Sequence, residues 1–234
     1  MNDTSYISSV EDLISTTESF ISDPGSLVLF RGQSSHLPLV PKIARNDESR
    51  DMTQTEREMI SEFRRRLARE RDIASFDNWD ILVFAQHVGL ATRLLDWTTN
   101  PLFALWFACE NRSDSEGCIY LLIAKPQGIL DTSSNEDPFS IDKTFVLKPN
   151  INNSRIRAQS GWFTVHGYST SAGRYEKPNK IGGEEKSILM KGIKPENKEP
   201  ILKTLDKLGV NQESVFPGPE GTAKYVNWLH ESDL

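Results

Sequence analysis

Cysteine is nearly absent: the 234 residues hold Cys109 and Cys118, with no CxxC pair and no Cys/His cluster. A disulfide frame and a structural zinc site are therefore not expected. The four histidines, His36, His87, His166 and His230, lie far apart in sequence, so no metal is expected either. Long apolar runs are missing as well. Nothing approaches the roughly 18 residues needed to span a bilayer, and the start MNDTSYISSVEDL lacks the basic and apolar regions of a secretory signal. A cytoplasmic protein with no membrane partner is the expectation. Basic charge is in short supply: 27 Lys and Arg against 33 Asp and Glu leave a net charge of −6. That is the wrong overall sign for coating DNA or an anionic membrane, although a local basic patch is compatible with it. GxGxxG, P-loop, HExxH and GxSxG signatures do not occur, and no carboxylate cluster suits a Mg²⁺-dependent nuclease.

What is present is material for a core. Apolar residues make up 37 %, with 11 Phe and 5 Trp, enough to offset chain entropy. Ile7, Val10, Leu13 and Ile14 recur at helical spacing before Pro24-Gly25. SLVLFRG then reads as a buried strand that delivers Arg31 to its end. Thr53 and Glu56 have capping-box spacing ahead of a helix whose buried face is Met59, Ile60, Phe63 and Leu67. NWDILVFAQHV is a second helix, stopping at Gly89. After a short polar segment, NPLFALWFACE begins a third at Pro101. GCIYLLIA is a strand by its β-branched and aromatic density. Residues 126–154 read as a long loop, RIRAQSGWFTVHG and KSILMKGI as strands, and KEPILKTLDKLGV and GTAKYVNWLHE as closing helices. Helices and strands are partly segregated, which predicts an α+β fold: a single domain with a central, mostly antiparallel sheet, continuous or split, flanked by helices.

Two segments place polar groups where burial is expected. Residues 86–108, QHVGLATRLLDWTTNPLFALWFA, put His87, Thr92, Arg93, Asp96, Thr98, Thr99 and Asn100 between apolar helices. Each unpaired buried group costs roughly 1–3 kcal/mol, so they require a closed network, such as an internal Arg93–Asp96 ion pair, or a ligand. In Phe30-Arg31-Gly32-Gln33 a planar bidentate donor stands beside a backbone that a ligand can approach closely, or else forms a structural salt bridge. The cluster Arg64, Arg65, Arg66, Arg69 and Arg71 is either a solvated helix face or a grip on nucleic-acid phosphates, with Arg64, Arg65 and Arg69 as the binding candidates.

FRGQSS, LVPKIAR, FRRR, AQHVGLATRLLDWTTNPLFALWFA, RIRAQSGWFTVH and SVFPGPEGTAKYV together resemble the FRG domain family, over about residues 25–228. That resemblance makes residues 25–234 the FRG domain and 1–24 an N-terminal helix packed on its body. A second resemblance is to ADP-ribosyltransferases. There a first core strand ends in Arg-Gly, a Ser/Thr segment leads into an AxxFA-type helix, and a later strand presents Glu or Gln. This chain follows the same order with Phe30-Arg31-Gly32, with Thr98-Thr99 before Ala104–Ala108, and with Gln159 before Gly161–Val165.

The resemblances imply an NAD-dependent ADP-ribosyltransferase, a bacterial toxin or phage-defence effector acting on RNA, DNA or protein. NAD would be its substrate, no metal is needed, and an antitoxin is a candidate partner. Arg31 would hold the NAD pyrophosphate or nicotinamide ribose, with the backbone of Gly32 and its neighbour Gln33 close by. Thr98 and Thr99 would face nicotinamide, Thr92 would lie in the same pocket, and Asp96 would orient Arg93 or His87. Gln159 would contact the reacting ribose, with Glu213 the acidic alternative, and His166 or Arg155 would place phosphates. Trp97, Trp106 and Trp162 would form apolar walls. A neutral amide at the third position contributes no negative charge to an oxocarbenium-like transition state. The sequence therefore also fits a non-catalytic module that binds a nucleotide or nucleic acid.

Overall fold

The computed structural model describes residues 6–21, 27–69, 73, 75–111, 114–132, 137–150, 159–181, 184–185 and 188–231. Arg71 and Arg155 lie outside the described residues. A six-stranded sheet organises the chain, in the order β10-β3-β1-β2-β5-β4. Its strands are β1 (Leu27–Gln33), β2 (Leu94–Thr98), β3 (Gly117–Ala124), β4 (Phe145–Leu147), β5 (Gly161–Val165) and β10 (Ile188–Ile193), and every neighbouring pair is antiparallel. Two short ladders, β6 (Tyr168–Ser169) with β7 (Arg174–Tyr175) and β8 (Lys180–Ile181) with β9 (Glu184–Glu185), occupy the polar stretch before β10. The α+β class and the mostly antiparallel sheet are as the sequence predicts.

The sheet is split. β1 pairs with β3 over seven residues, from Leu27↔Ala124 to Gln33↔Cys118, but meets β2 at one pair, Phe30↔Thr98. β2 is held instead by β5, from Leu94↔Val165 to Thr98↔Gly161. Two half-sheets, β10-β3-β1 and β2-β5-β4, thus diverge from a single point of contact.

Alternation along β1 sends its side chains to two different cores. Phe30 joins the cluster built around α4 (Pro101–Cys109), while Leu29 joins the one containing Trp97, Tyr120 and Val146. α4 is apolar on all sides and mostly buried, and Asn100 caps it by accepting from Leu102 N at 2.9 Å. It rests on β1 and β3 through small residues. A Cβ added to Gly32 would stand 1.8 Å from the Ala104 carbonyl oxygen, and one added to Gly117 would stand 2.2 Å from that of Ala108. The helix backbone therefore lies directly on two strand backbones.

The other helices complete the layer. α1 (Val10–Phe20) buries Val10 and Leu13 in the α4 core, and Ile7 N donates to Gly192 O at 2.9 Å, so the N-terminal helix packs on the body. α2 (Thr53–Arg66) and α3 (Asn78–His87) cover the second half-sheet, with Ile60, Trp79 and Leu82 against Leu94, Phe163 and Val165. Gly89, at φ 98°, ends the α3 turn. α5 (Pro195–Lys207), α6 (Gln212–Val215) and α7 (Pro219–Leu229) finish the chain. Among the described residues no helix is long and apolar enough to cross a membrane. Cys109 and Cys118 are free and buried; burial pushes the Cys109 thiol up to about 12, far from the reactive range.

Four expectations are corrected. LLDWT, read as part of a polar connection, is strand β2, and residues 145–147, read as loop, are strand β4. Thr53 and Glu56 do not form a capping box, because Met52 precedes the helix with no side-chain cap bond. Both side chains serve Arg93: its Nε and backbone N donate to the two Glu56 oxygens at 2.7 Å each, and its Nη2 donates to Thr53 Oγ1 at 3.1 Å. Arg93 and Glu56 are fully buried, so the internal pair of Arg93 is with Glu56 and not with Asp96.

Candidate functional site

A cleft of about 340 Å³ opens where β1 and β2 part. Arg31, the residue after the single cross-pair, extends into the gap. Its Nη1 donates to the Asp96 carbonyl oxygen at 2.6 Å and lies 3.8 Å from Asp96 Oδ2. The Nε of Arg31 is buried and has no hydrogen-bond partner among the described residues. Desolvation depresses the guanidinium pKa; Asp96 opposes that shift and the nearby charge of Arg45 adds to it. The contact is not a closed ion pair, since the Asp96 side chain is 62 % exposed while that of Arg31 is 14 % exposed. Gln86 Nε2 steadies Asp96 Oδ2 from α3 at 3.2 Å.

The opposite wall comes from the turn before β5. Thr98 Oγ1 donates to the Gln159 carbonyl at 2.6 Å and accepts from Asn100 N at 3.0 Å. The Gln159 Nε2 donates to the Val215 carbonyl at 3.0 Å. That bond explains an amide at this position, because a carboxylate could not donate to Val215 O. Ser160, at φ 47°, turns the chain into β5. Trp97, Phe107 and Trp162 supply apolar lining.

Of the residues singled out from sequence, Arg31, Gly32, Gln33, His87, Asp96, Thr98 and Gln159 come together around this cleft, with Trp97 and Trp162. Others do not. Thr92 is buried behind it, donating to Gln86 Oε1 at 2.6 Å and accepting from Leu94 N at 3.2 Å; it reaches Asp96 only through Gln86. Thr99 is exposed and outside the lining, its N–H bonded to Ser160 O. Glu213 sits on α6, accepting from Thr222 Oγ1 at 2.8 Å, and does not reach the cleft. The glycine of Phe-Arg-Gly is required by the approach of α4, not by that of a ligand. Trp106 packs in the α4 core, against Phe107 and Phe216.

His166 is the clearest correction. It is fully buried, with Nε2 2.8 Å from Thr164 Oγ1 and Nδ1 2.7 Å from the Glu176 carbonyl. Since the carbonyl can only accept, Nδ1 carries the proton and Nε2 accepts from Thr164, whose oxygen accepts in turn from Trp97 Nε1 at 3.0 Å. Burial lowers its pKa to about 4. A neutral, fully bonded imidazole places no phosphate.

The arginines of α2 are similarly committed. Arg64 donates to the Phe76 and Asp77 carbonyls at 3.1 and 3.2 Å, tying α2 to the start of α3. Arg65 and Arg66 share Glu62, at 2.6 and 2.7 Å, and pull its carboxyl down to about 2. Arg69 is exposed.

Sequence reasoning missed Arg45 and Gln86 in the cleft and the buried Glu56 that pairs with Arg93. Arg45 closes LVPKIAR, one of the segments that carries the family resemblance, and that was its available signal. Residues 26–117 match the model of the FRG domain. No curated protein and no solved structure matches the chain. The matched span runs from the start of β1 to the start of β3 and ends before Gln159. The stretch that is similar to the FRG domain holds Arg31 and Arg45 together with Asp96 and Thr98.

Proposed function

We propose that the cleft binds NAD and that the protein is an ADP-ribosyltransferase. The observation that carries this reading is that Arg31, Thr98 and Gln159, met in the order the transferases use, line one cleft at the divergence of β1 and β2. A split antiparallel sheet with α4 following directly on β2 suits a transferase-like fold. The cleft volume falls within the about 300–1,000 Å³ of small-molecule sites. Arg31 fits an anionic or carbonyl-bearing ligand: its unpartnered Nε is a buried donor awaiting an acceptor, and leaving it so costs roughly 1–3 kcal/mol.

In the reaction the bond between nicotinamide and its ribose breaks, nicotinamide leaves with the electron pair, and the anomeric carbon joins a nucleophile on the acceptor, which gives up its proton. Arg31 would fix the phosphates or nicotinamide ribose, with Asp96 and Gln86 holding the guanidinium in place. Phe107 and Trp162 would exclude water from the reacting ring. The Thr98 hydroxyl is committed to the Gln159 backbone, so it positions Gln159, whose Oε1 would accept from the ribose. RNA, DNA and protein are all candidate acceptors.

One observation favours a second reading, a nucleotide-binding module without turnover: the Gln159 amide is neutral and already engaged with Val215 O. Incubation with NAD labelled in its adenylate phosphate, alongside RNA, DNA or lysate protein, separates the two. Label on an acceptor, lost in Arg31→Ala, supports the transferase. Binding of NAD with no transfer supports the module, and no binding of NAD removes the transferase.

A further inference from the structure

Arg45 follows the 3-10 turn Lys42–Ala44 and lines the same cleft as Arg31. Its circumstances are the reverse of those of Arg31. It is exposed, its Nε makes one long hydrogen bond, to Val40 O at 3.4 Å, and among the described residues no carboxylate forms an ion pair with it. Arg31 is largely buried and partly balanced by Asp96. Of the two arginines that line the cleft, Arg45 is therefore the one that Asp96 does not balance; Glu110 is the other carboxylate of the lining. The two guanidiniums feel each other, since Arg45 is among the influences that disfavour the charged form of Arg31. An anion with two charged centres relieves that repulsion, and a guanidinium fork matches phosphate oxygens in bidentate fashion. Ser34 and Ser35, on the chain between the two arginines, also line the cleft.

We infer that the cleft binds the diphosphate of a nucleotide between Arg31 at its floor and Arg45 at its rim. The identity of that nucleotide as NAD rests on the reading above; the seat for the diphosphate does not.

The test is calorimetric binding of ADP, inorganic pyrophosphate, adenosine and nicotinamide to the full chain and to Arg45→Gln, Arg45→Lys and Arg50→Gln, the last an exposed arginine outside the cleft. ADP and pyrophosphate should bind better than adenosine. Arg45→Gln should weaken ADP about tenfold or more, Arg45→Lys should recover only part of that loss, and Arg50→Gln should match wild type. Unchanged melting temperatures will show that the variants are folded. Equal affinity for ADP in wild type and Arg45→Gln, or no preference for ADP over adenosine, overturns the inference. So does a short RNA that displaces ADP more strongly than pyrophosphate does. Arg45-dependent ADP binding without any transfer removes the transferase and leaves this seat standing, whereas transfer with an unchanged KM for NAD in Arg45→Gln does the opposite.

Discussion

Gly32 lies directly beneath the Ala104 carbonyl: a methyl group at its Cα would sit 1.8 Å from that oxygen and 2.7 Å from Ala108 N. Both contacts are with helix backbone, which cannot rotate aside. Gly32→Ala should therefore force α4 off β1, at a cost of about 3 kcal/mol, the upper end for overpacking. Urea unfolding of the ligand-free protein will read it. Near wild-type stability, with a loss of ligand binding alone, would return this glycine to the cleft.

The Glu56–Arg93 pair should behave as a buried ion pair does. Removing one partner in Arg93→Met leaves a carboxylate with no counter-charge, costing about 3–5 kcal/mol. The double variant Glu56→Gln/Arg93→Met should be less destabilised than the two single changes added together. Strict additivity in chemical denaturation would show that the two side chains do not depend on each other.

His166 makes stability depend on pH. Its folded pKa, about 4, is below the roughly 6.5 of an unfolded histidine, so the unfolded chain takes up a proton that the folded one refuses. This contribution is fully present above pH 6.5, is lost progressively as pH falls from about 6.5 to 4, and amounts to something on the order of 3 kcal/mol. Unfolding free energies across that window should slope downward on acidification. His166→Gln, if it folds, should flatten the slope, and an unaltered slope would assign the dependence to other groups.

At Gln159 the two readings of function separate. Gln159→Ala should abolish NAD turnover while binding survives. Gln159→Glu should not rescue it, because a carboxylate would face the Val215 carbonyl across the present 3.0 Å and cost roughly 1–3 kcal/mol. Single-turnover assays with a parallel melting curve will distinguish the outcomes. Full turnover in Gln159→Ala would show that the ribose is held elsewhere.

Legibility from sequence tracked how local the determining physics is. The helices announced themselves through spacing and caps: Gly89 stops α3, and Asn100-Pro101 opens α4. Arg31 was legible because a charge at the end of an apolar strand is conspicuous. β2 was not, since LLDWT is embedded in a segment with Thr92, Arg93, Thr99 and Asn100 on either side, and its pairing with β5 bridges residues far apart in the chain. For the same reason Arg93 was matched to the nearby Asp96 when its partner, Glu56, lies 37 positions upstream. His166 looked available because nothing adjacent reveals that Thr164 and Glu176 occupy both ring nitrogens.

The lone Phe30↔Thr98 pair has a mechanical consequence. Across that seam the backbone contributes almost no stiffness, so the two halves of the molecule are kept in alignment by α4, by the core that Leu29 and Tyr120 share with Trp97 and Val146, and by the grip of Arg31 on the Asp96 carbonyl. A ligand that recruits this arginine loosens or replaces one of these fastenings. Occupancy of the cleft and the rigidity of the whole sheet are accordingly coupled through one side chain.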